Sequence, residues 1–401
     1  MIPLTSASGF LGARPATSGL LVLAAACVSI GMVTRPFRKT KKELYIPSPG
    51  ITVLPILSQR EVQNLPYPPD ALPGGRNVET PYGSVRVYEW GPDDGERVLF
   101  VPGISTPIVS LGDLAHEMAG RGYRVMMFDL FGRGYSDAPI DLSYDARLYT
   151  TQILLVLASS SLPWTASPGF HLVGYSLGGG LSVAFTRYFP HLVRSLSLVA
   201  TGGLIRPYHV DWRSWLYYSS GSLPEFLVRA LVKRRLRPRA MPVHGTDIIA
   251  AESEQKVDGD GDCNGGEGFD SAFISRRQPG VTVSSVVRWQ VDNHPGFVGA
   301  FLSTIRNAPI YAPQEDWVAL SSILRSRRNG SAGLKLGIQG GKILIVLGED
   351  DPVVVRGETV ADAEAVLGSD GVQVTVLAGG HELPMTRSSG VADAIERSWN
   401  E

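Results

Sequence analysis

A serine with glycine two residues to each side, Gly174-Tyr175-Ser176-Leu177-Gly178, is the most pointed chemical signal in the sequence. Phe170–Tyr175 before it reads as a strand and Leu177–Phe189 after it as a helix, so Ser176 falls on the strand-to-helix turn that a nucleophile elbow requires. A turn that tight brings neighbouring chain close, and only small residues fit at 174 and 178. It presents the hydroxyl at the C-terminal end of the strand, beside a helix N-terminus. A serine hydroxyl is a weak nucleophile at neutral pH and needs a base. His381, in Ala378-Gly379-Gly380-His381-Glu382, follows the last expected strand and so stands at the same edge of the sheet. The other histidines compete poorly: His171 begins the nucleophile strand and belongs at the opposite edge, His116 and His191 fall in helical regions, and His209, His244 and His294 fall in an insert. The base in turn needs an acid that orients it and stabilises its charged form. Asp351, in Gly348-Glu349-Asp350-Asp351-Pro352, is the expected partner because it lies three residues past the glycine and before proline; Asp350 is the alternative.

Three groups so far apart in sequence can meet only on a scaffold that returns to one edge repeatedly. From about residue 76 the chain alternates strand and helix patterns. Expected strands are Ser84–Trp90, Arg97–Val101, Tyr123–Asp129, Phe170–Tyr175, Ser195–Ala200, Lys342–Leu347 and Val372–Leu377. Helices are expected near 110–120, 143–160, 177–189, 358–367 and 391–399. The nearly continuous apolar strands suit a mainly parallel sheet covered by helices on both faces, an α/β class. Residues 202–340 are too long for a connection and read as an inserted helical cap. Within it, Ser222-Leu-Pro-Glu225 reads as a capping box, Phe226, Leu227, Ala230 and Leu231 as an apolar stripe, and Lys233–Arg239 as a basic helix end. A flexible acidic Gly-rich loop is expected at about 254–280. Inside it, Asp260-x-Asp262-x-Asn264-Gly265 matches the first half of a calcium loop, but Ser271 stands where the closing acid belongs, so a solvated loop is expected.

The chain has 401 residues, with 37 Lys plus Arg against 38 Asp plus Glu, which excludes a strongly basic nucleic-acid binder. Its 44% hydrophobic content excludes a wholly disordered chain. With Cys27 and Cys263 alone, no disulfide framework or zinc spacing is present. The charge is unevenly placed. Residues 1–42 contain Arg14, Arg35, Arg38, Lys39, Lys41 and Lys42 and no acid. Their apolar run, residues 19–33, would span about 22 Å as a helix, less than the ~30 Å hydrocarbon core of a bilayer. Basic residues after the run place the body on the cytoplasmic side of a short transmembrane helix, with mitochondrial targeting or a secretory signal as alternatives. The Pro-rich segment 43–75 is expected to be a tether.

The order Ser176, Asp351, His381, with an insert between nucleophile and acid, resembles the α/β-hydrolase fold family, in its serine-nucleophile, esterase and lipase-like branch. The resemblance covers about 78–400 and extends to Asp129-Leu-Phe-Gly-Arg-Gly-Tyr-Ser-Asp137, which looks like the family's D-x-x-G-x-G-x-S loop. Val101-Pro102-Gly103-Ile104 occupies the oxyanion-loop position, with Pro102 where many members carry His. The resemblance implies a core of 76–201 and 341–401 with a cap at 202–340, and backbone N–H groups of Ile104 and Leu177 as oxyanion donors. It implies a serine hydrolase acting on a carboxylic ester through an acyl-enzyme, with no metal or organic cofactor. The leader and the cap's aromatic and basic residues extend this to a lipid or other apolar ester and a membrane partner, as in monoacylglycerol-lipase-like members. The same triad also serves lactonases, C–C hydrolases and acyltransferases, and the fold also serves non-catalytic binding modules or membrane-tethered structural partners.

Overall fold

The computed structural model describes residues 44–209, 223–237, 265–312, 314–330 and 337–400. The leader with its apolar run lies outside them, and no described helix is long and apolar enough to cross a membrane. The strands in chain order are β1 (Tyr45–Ile46), β2 (Gly75–Thr80), β3 (Gly83–Trp90), β4 (Arg97–Val101), β5 (Arg124–Phe128), β6 (Ala138–Pro139), β7 (Phe170–Tyr175), β8 (Val193–Val199), β9 (Ile343–Gly348) and β10 (Val372–Leu377). The helices are α1 (Pro49–Thr52), α2 (Gln59–Gln63), α3 (Gly112–Gly120), α4 (Ala146–Ala158), α5 (Leu177–Tyr188), α6 (Glu225–Arg235) and α7 (Gly266–Ser271). They continue as α8 (Val283–Asn293), α9 (Phe297–Asn307), α10 (Gln314–Arg328), α11 (Arg356–Leu367), α12 (Leu383–Thr386) and α13 (Ser388–Asn400).

Eight strands form one mixed sheet in the order β2-β3-β5-β4-β7-β8-β9-β10. From β5 to β10 all neighbours are parallel; β3 runs antiparallel to β2 and β5. Every residue of β7 and β9 is buried, as expected of continuous apolar strands covered on both faces. The edge strand β2 alternates exposed and half-buried residues, and Val78 is its single apolar side chain, which is why pattern reading missed it. Among the helices, α3 packs on α13 and α12, while α4, α5, α10 and α11 pack as successive neighbours. Parallel strands all point their C-terminal ends to one edge, and Ser176, Asp351 and His381 follow β7, β9 and β10 there.

Two expectations are corrected. Residues 44–75 are not a tether. β1 pairs antiparallel with β6, the Ser48 N–H donates to Asp137 Oδ1 at 2.7 Å, and Tyr67 is fully buried. Their prolines act locally: Pro49 opens α1, and Ser58-Gln-Arg-Glu61 makes a capping box on α2. The cap also ends earlier than residue 340. Helix α10 packs on α5 and α11 with Trp317 fully buried, so it belongs to the core layer. The expected stripe of Phe226, Leu227, Ala230 and Leu231 does share one face, which is exposed. Helix α6 rests on Val228, Val232 and Leu236, a narrow i, i+4, i+8 ridge, and turns the wider apolar stripe outward. Glu225 pairs with Arg306 at 3.1 Å and Arg229 at 3.5 Å; its expected capping partner Ser222 lies outside the described residues. So do residues 258–264 of the acidic loop; Asp270 and Ser271 lie on α7. Among the described residues no cluster of His, Cys, Asp or Glu could hold a metal ion.

The packing of residues 44–75 has a measurable consequence. Tyr67→Ala empties a filled site and should cost about 3 kcal/mol or more in urea-unfolding stability. An unchanged midpoint would mean that the segment is a tether after all.

Candidate active site

The elbow is built by close approach. Ser176 has φ 52° and ψ −122°, a left-handed conformation that a residue with a side chain adopts only when its surroundings fix it. Those surroundings are visible. The Ser176 N–H donates to Val199 O at 3.0 Å, and Ser176 O accepts from Gly179 N and Gly202 N, each at 2.8 Å. A Cβ at Gly174 would lie 2.4 Å from Gly178 O, and one at Gly178 only 2.1 Å from Val101 O. The two glycines are therefore required because β4, β7 and the start of α5 pass within contact of one another.

Three chain-distant groups meet at this point. Ser176 Oγ lies 3.0 Å from His381 Nε2, and His381 Nδ1 lies 2.9 Å from Asp351 Oδ2. His381 and Asp351 are buried; Ser176 keeps partial exposure. Asp351 Oδ1 accepts from Val353 N at 2.8 Å and Val354 N at 2.9 Å, so the acid is fixed through both oxygens. Burial works to raise its pKa, but the adjoining imidazole and the two amides outweigh burial and leave it below the usual carboxylate value. It is thus an anion that accepts the Nδ1 proton and leaves Nε2 as the acceptor for the serine hydroxyl. Asp350, the sequence alternative, points into solvent.

The oxyanion-loop residue Ile104 is buried, and Gly103 before it lies so near the elbow that a Cβ there would sit 3.4 Å from Ser176 Cβ. Leu177, buried, opens α5 immediately after the nucleophile. Gly103, just before Ile104, and Leu177 thus border Ser176 from two sides.

Several positioning residues were not visible in the sequence. Tyr175, inside the elbow motif, donates its hydroxyl to His381 O at 2.7 Å. From α7, Phe269 sets its ring against His381 at 5.6 Å, edge-on. The oxyanion loop, which has Pro102 in place of a polar residue, is held from elsewhere. Arg133, fully buried, donates Nε–H to Ile104 O at 3.1 Å, and its other donors go to Phe131 O, Tyr149 OH and Thr304 Oγ1. Gln290, fully buried on α8, donates to Ser105 O and accepts from Gly134 N, each at 2.9 Å. His294, one of the insert histidines set aside as the base, donates Nε2–H to Ser136 O at 2.9 Å; burial lowers its pKa to about 4 and keeps it neutral. Only one signal was available beforehand, that Arg133 and Gly134 fall inside the glycine-rich motif after β5.

That motif begins with Asp129, which is completely buried. Its Oδ1 accepts from Ile108 N at 2.9 Å, and its Oδ2 from Tyr135 N at 2.9 Å and Tyr67 OH at 3.1 Å. One carboxyl therefore joins the oxyanion-loop side, the β5 loop and the N-terminal segment. Burial raises its pKa to about 6 in spite of these donors.

Comparison with known proteins agrees with this architecture. Residues 96–234 match the alpha/beta hydrolase fold family. Lipase 1 of Psychrobacter immobilis is 30% identical over 122 residues, 30% of this chain and 37% of that protein. An uncharacterised protein of Mycobacterium tuberculosis is 28% identical over 144 residues, 36% of this chain and 40% of its own. The chain thus spans about two fifths of the length of the curated relatives it matches. In three dimensions, a membrane phospholipase A superposes with TM-score 0.54 at 15% identity, covering 96% of this chain and 98% of that one. The naproxen esterase of Bacillus subtilis superposes with TM-score 0.52 at 15% identity, covering 86% and 99%. At such identities the superpositions speak for the fold. Strand order, elbow and sequence match agree, and the chain has the α/β-hydrolase fold.

Two outcomes test the polar scaffold. Gln290→Leu removes partners from two buried backbone groups and should cost about 2 kcal/mol or more in denaturant unfolding. Asp129 has a folded pKa of about 6, above its unfolded value, so its contribution is fully present below about pH 4 and is lost as pH rises through 6. Asp129→Asn should therefore flatten the pH dependence of stability between about pH 4 and 7, by an amount on the order of 3 kcal/mol. Parallel slopes for wild type and variant would contradict this.

Proposed function

We propose that the protein is a serine hydrolase that cleaves a carboxylic ester through an acyl-enzyme. The observation that carries this reading is the unbroken hydrogen-bonded series from Ser176 Oγ through the His381 ring to Asp351, set on a strained elbow. His381 Nε2 takes the hydroxyl proton as Ser176 Oγ attacks the carbonyl carbon, and Asp351 stabilises the imidazolium that results. The negative charge that develops on the carbonyl oxygen goes to the N–H groups of Ile104 and Leu177; removing one such donor typically costs about 3 kcal/mol of barrier stabilisation. The tetrahedral adduct collapses, the imidazolium protonates the departing alcohol, and the acyl group stays on Ser176. A water molecule then repeats the sequence, with His381 again as base, and releases the acid. Every proton and charge in this cycle has a partner in the chain, so the chemistry calls for no metal or organic cofactor.

The substrate class we assign is an apolar ester, lipid esters included. The name carried by the Psychrobacter relative, Lipase 1, supports an ester. Apolar side chains around the site, among them Phe269, Ile104 and Leu177, support an acyl chain over a charged group.

A fluorophosphonate probe should label the wild type and leave Ser176→Ala unlabelled; equal labelling would overturn the assignment. Asp351→Asn should lower kcat on a short-chain ester by about 10³ to 10⁴ by leaving the imidazole in the wrong tautomer. Asp350→Asn should change kcat by no more than about twofold, as is usual for a solvent-facing side chain away from the site. A reversed order of the two aspartate variants would make Asp350 the partner.

A further inference from the structure

The apolar stripe that α6 turns outward has a counterpart next to it. Phe226 is 70% exposed, Leu227 43% and Leu231 40%, an unusual density of exposed apolar surface on one short helix. Helix α6 lies along α9: Glu225 pairs with Arg306, and a Cβ on Gly299 would come 3.7 Å from the Arg229 guanidinium. The β1–β6 ribbon borders the same helix. A Cβ on Gly296 would meet Ala138 Cβ, and Tyr144 N donates to Ser303 Oγ at 3.1 Å. That ribbon exposes Leu44 and Ile140, joined by the Ile140 N to Leu44 O bond at 3.0 Å, with Leu142 exposed just beyond. Two exposed apolar patches therefore flank one cap helix.

Charge selects what they meet. Residues 223–237 carry five bases, Arg229, Lys233, Arg234, Arg235 and Arg237, against one acid, Glu225; Glu225 is bound to Arg306 and Arg229, and Arg237 is bound to Asp292 of α8. Lys233 and Arg234 are exposed in the turn that follows Leu231. Exposed apolar side chains followed by cations, as on α6, fit a surface that is anionic outside and apolar beneath, which is the makeup of an anionic bilayer.

We propose that the outward stripe of α6 and the Leu44–Ile140–Leu142 patch form one docking face for an anionic membrane surface. Phe226, Leu227 and Leu231 enter the headgroup region, and Lys233 and Arg234 pair with lipid phosphates. This is distinct from the leader acting as an anchor, because it is a property of the folded body and fixes which side of the body faces the lipid. It is also independent of the chemistry at Ser176.

The test uses the full chain with Cys27→Ser and Cys263→Ser, carrying a fluorophore on Phe226→Cys or, as control, on Val318→Cys. Val318 is also exposed, at 55%, but lies on α10, which packs on α5 and α11. With vesicles of phosphatidylcholine and phosphatidylglycerol containing a brominated lipid, quenching at 226 should exceed that at 318 by about threefold or more. Lys233→Glu with Arg234→Glu should bring it down to the control level, as should omission of the anionic lipid. Equal quenching at both positions, or quenching at 226 that ignores lipid charge, would overturn the proposal. So would an absence of quenching together with concentration-dependent dimerisation that Phe226→Glu abolishes, since the stripe would then bind a second copy of the chain. Thermal unfolding and fluorophosphonate labelling of the charge variant separate a failure of docking from a failure of folding or of the serine assignment.

Discussion

The molecule turns on the left-handed backbone of Ser176. That conformation is disfavoured by about 1 kcal/mol or more for any residue with a side chain, and it persists because three strands and a helix converge on it. The approach of Gly178 to Val101 O brings the chain after β4 beside the nucleophile, and this approach makes the Ile104 peptide a neighbour of the serine. The bonds from Ser176 to Val199 and Gly202 tie the same residue to the end of β8. The elbow is therefore where the sheet's parallel order becomes a chemical site. A sheet of the same composition with its strand ends staggered by one residue would keep its core and lose the meeting of Ser176, His381 and Asp351.

Around that point the protein spends its buried polar groups on holding loops. Asp129, Arg133, Gln290 and His294 are all buried, and each bonds backbone groups of a neighbouring loop directly. Unpaired polar groups at such depth would be costly, so each loop is held in one conformation by the need to satisfy its neighbours. Tyr175 does the same for the base, through the His381 carbonyl.

The meeting of Ser176, His381 and Asp351 was legible because each sits at a strand end marked by local punctuation: glycines around 176, Gly379-Gly380 before 381, and Pro352 after 351. The central strands were legible because burial on both faces leaves an apolar run. What escaped was settled by partners distant in sequence. The prolines between 47 and 73 gave that segment the composition of a linker, yet Tyr67 belongs to the core through a partner at position 129. Strand β2 exists by pairing with β3, not by its own residues. The stripe on α6 was legible, but not its direction: the buried ridge is Val228, Val232 and Leu236. No local rule links Gln290 to Ser105, 185 residues away.

The Gln290 and Arg133–Thr304 bonds also bear on how such a protein can diversify. A cap that only covered a site could be exchanged between relatives as a cassette, with catalysis left intact beneath it. Here α8 and α9 donate to and accept from the loops that border the nucleophile, so replacing them would remove supports that the core sequence, with Pro102 at its oxyanion loop, does not supply itself. Cap and core are therefore expected to change together over evolutionary time, and a chimera that joins this core to a foreign cap would have to bring its own supports for residues 104 and 105.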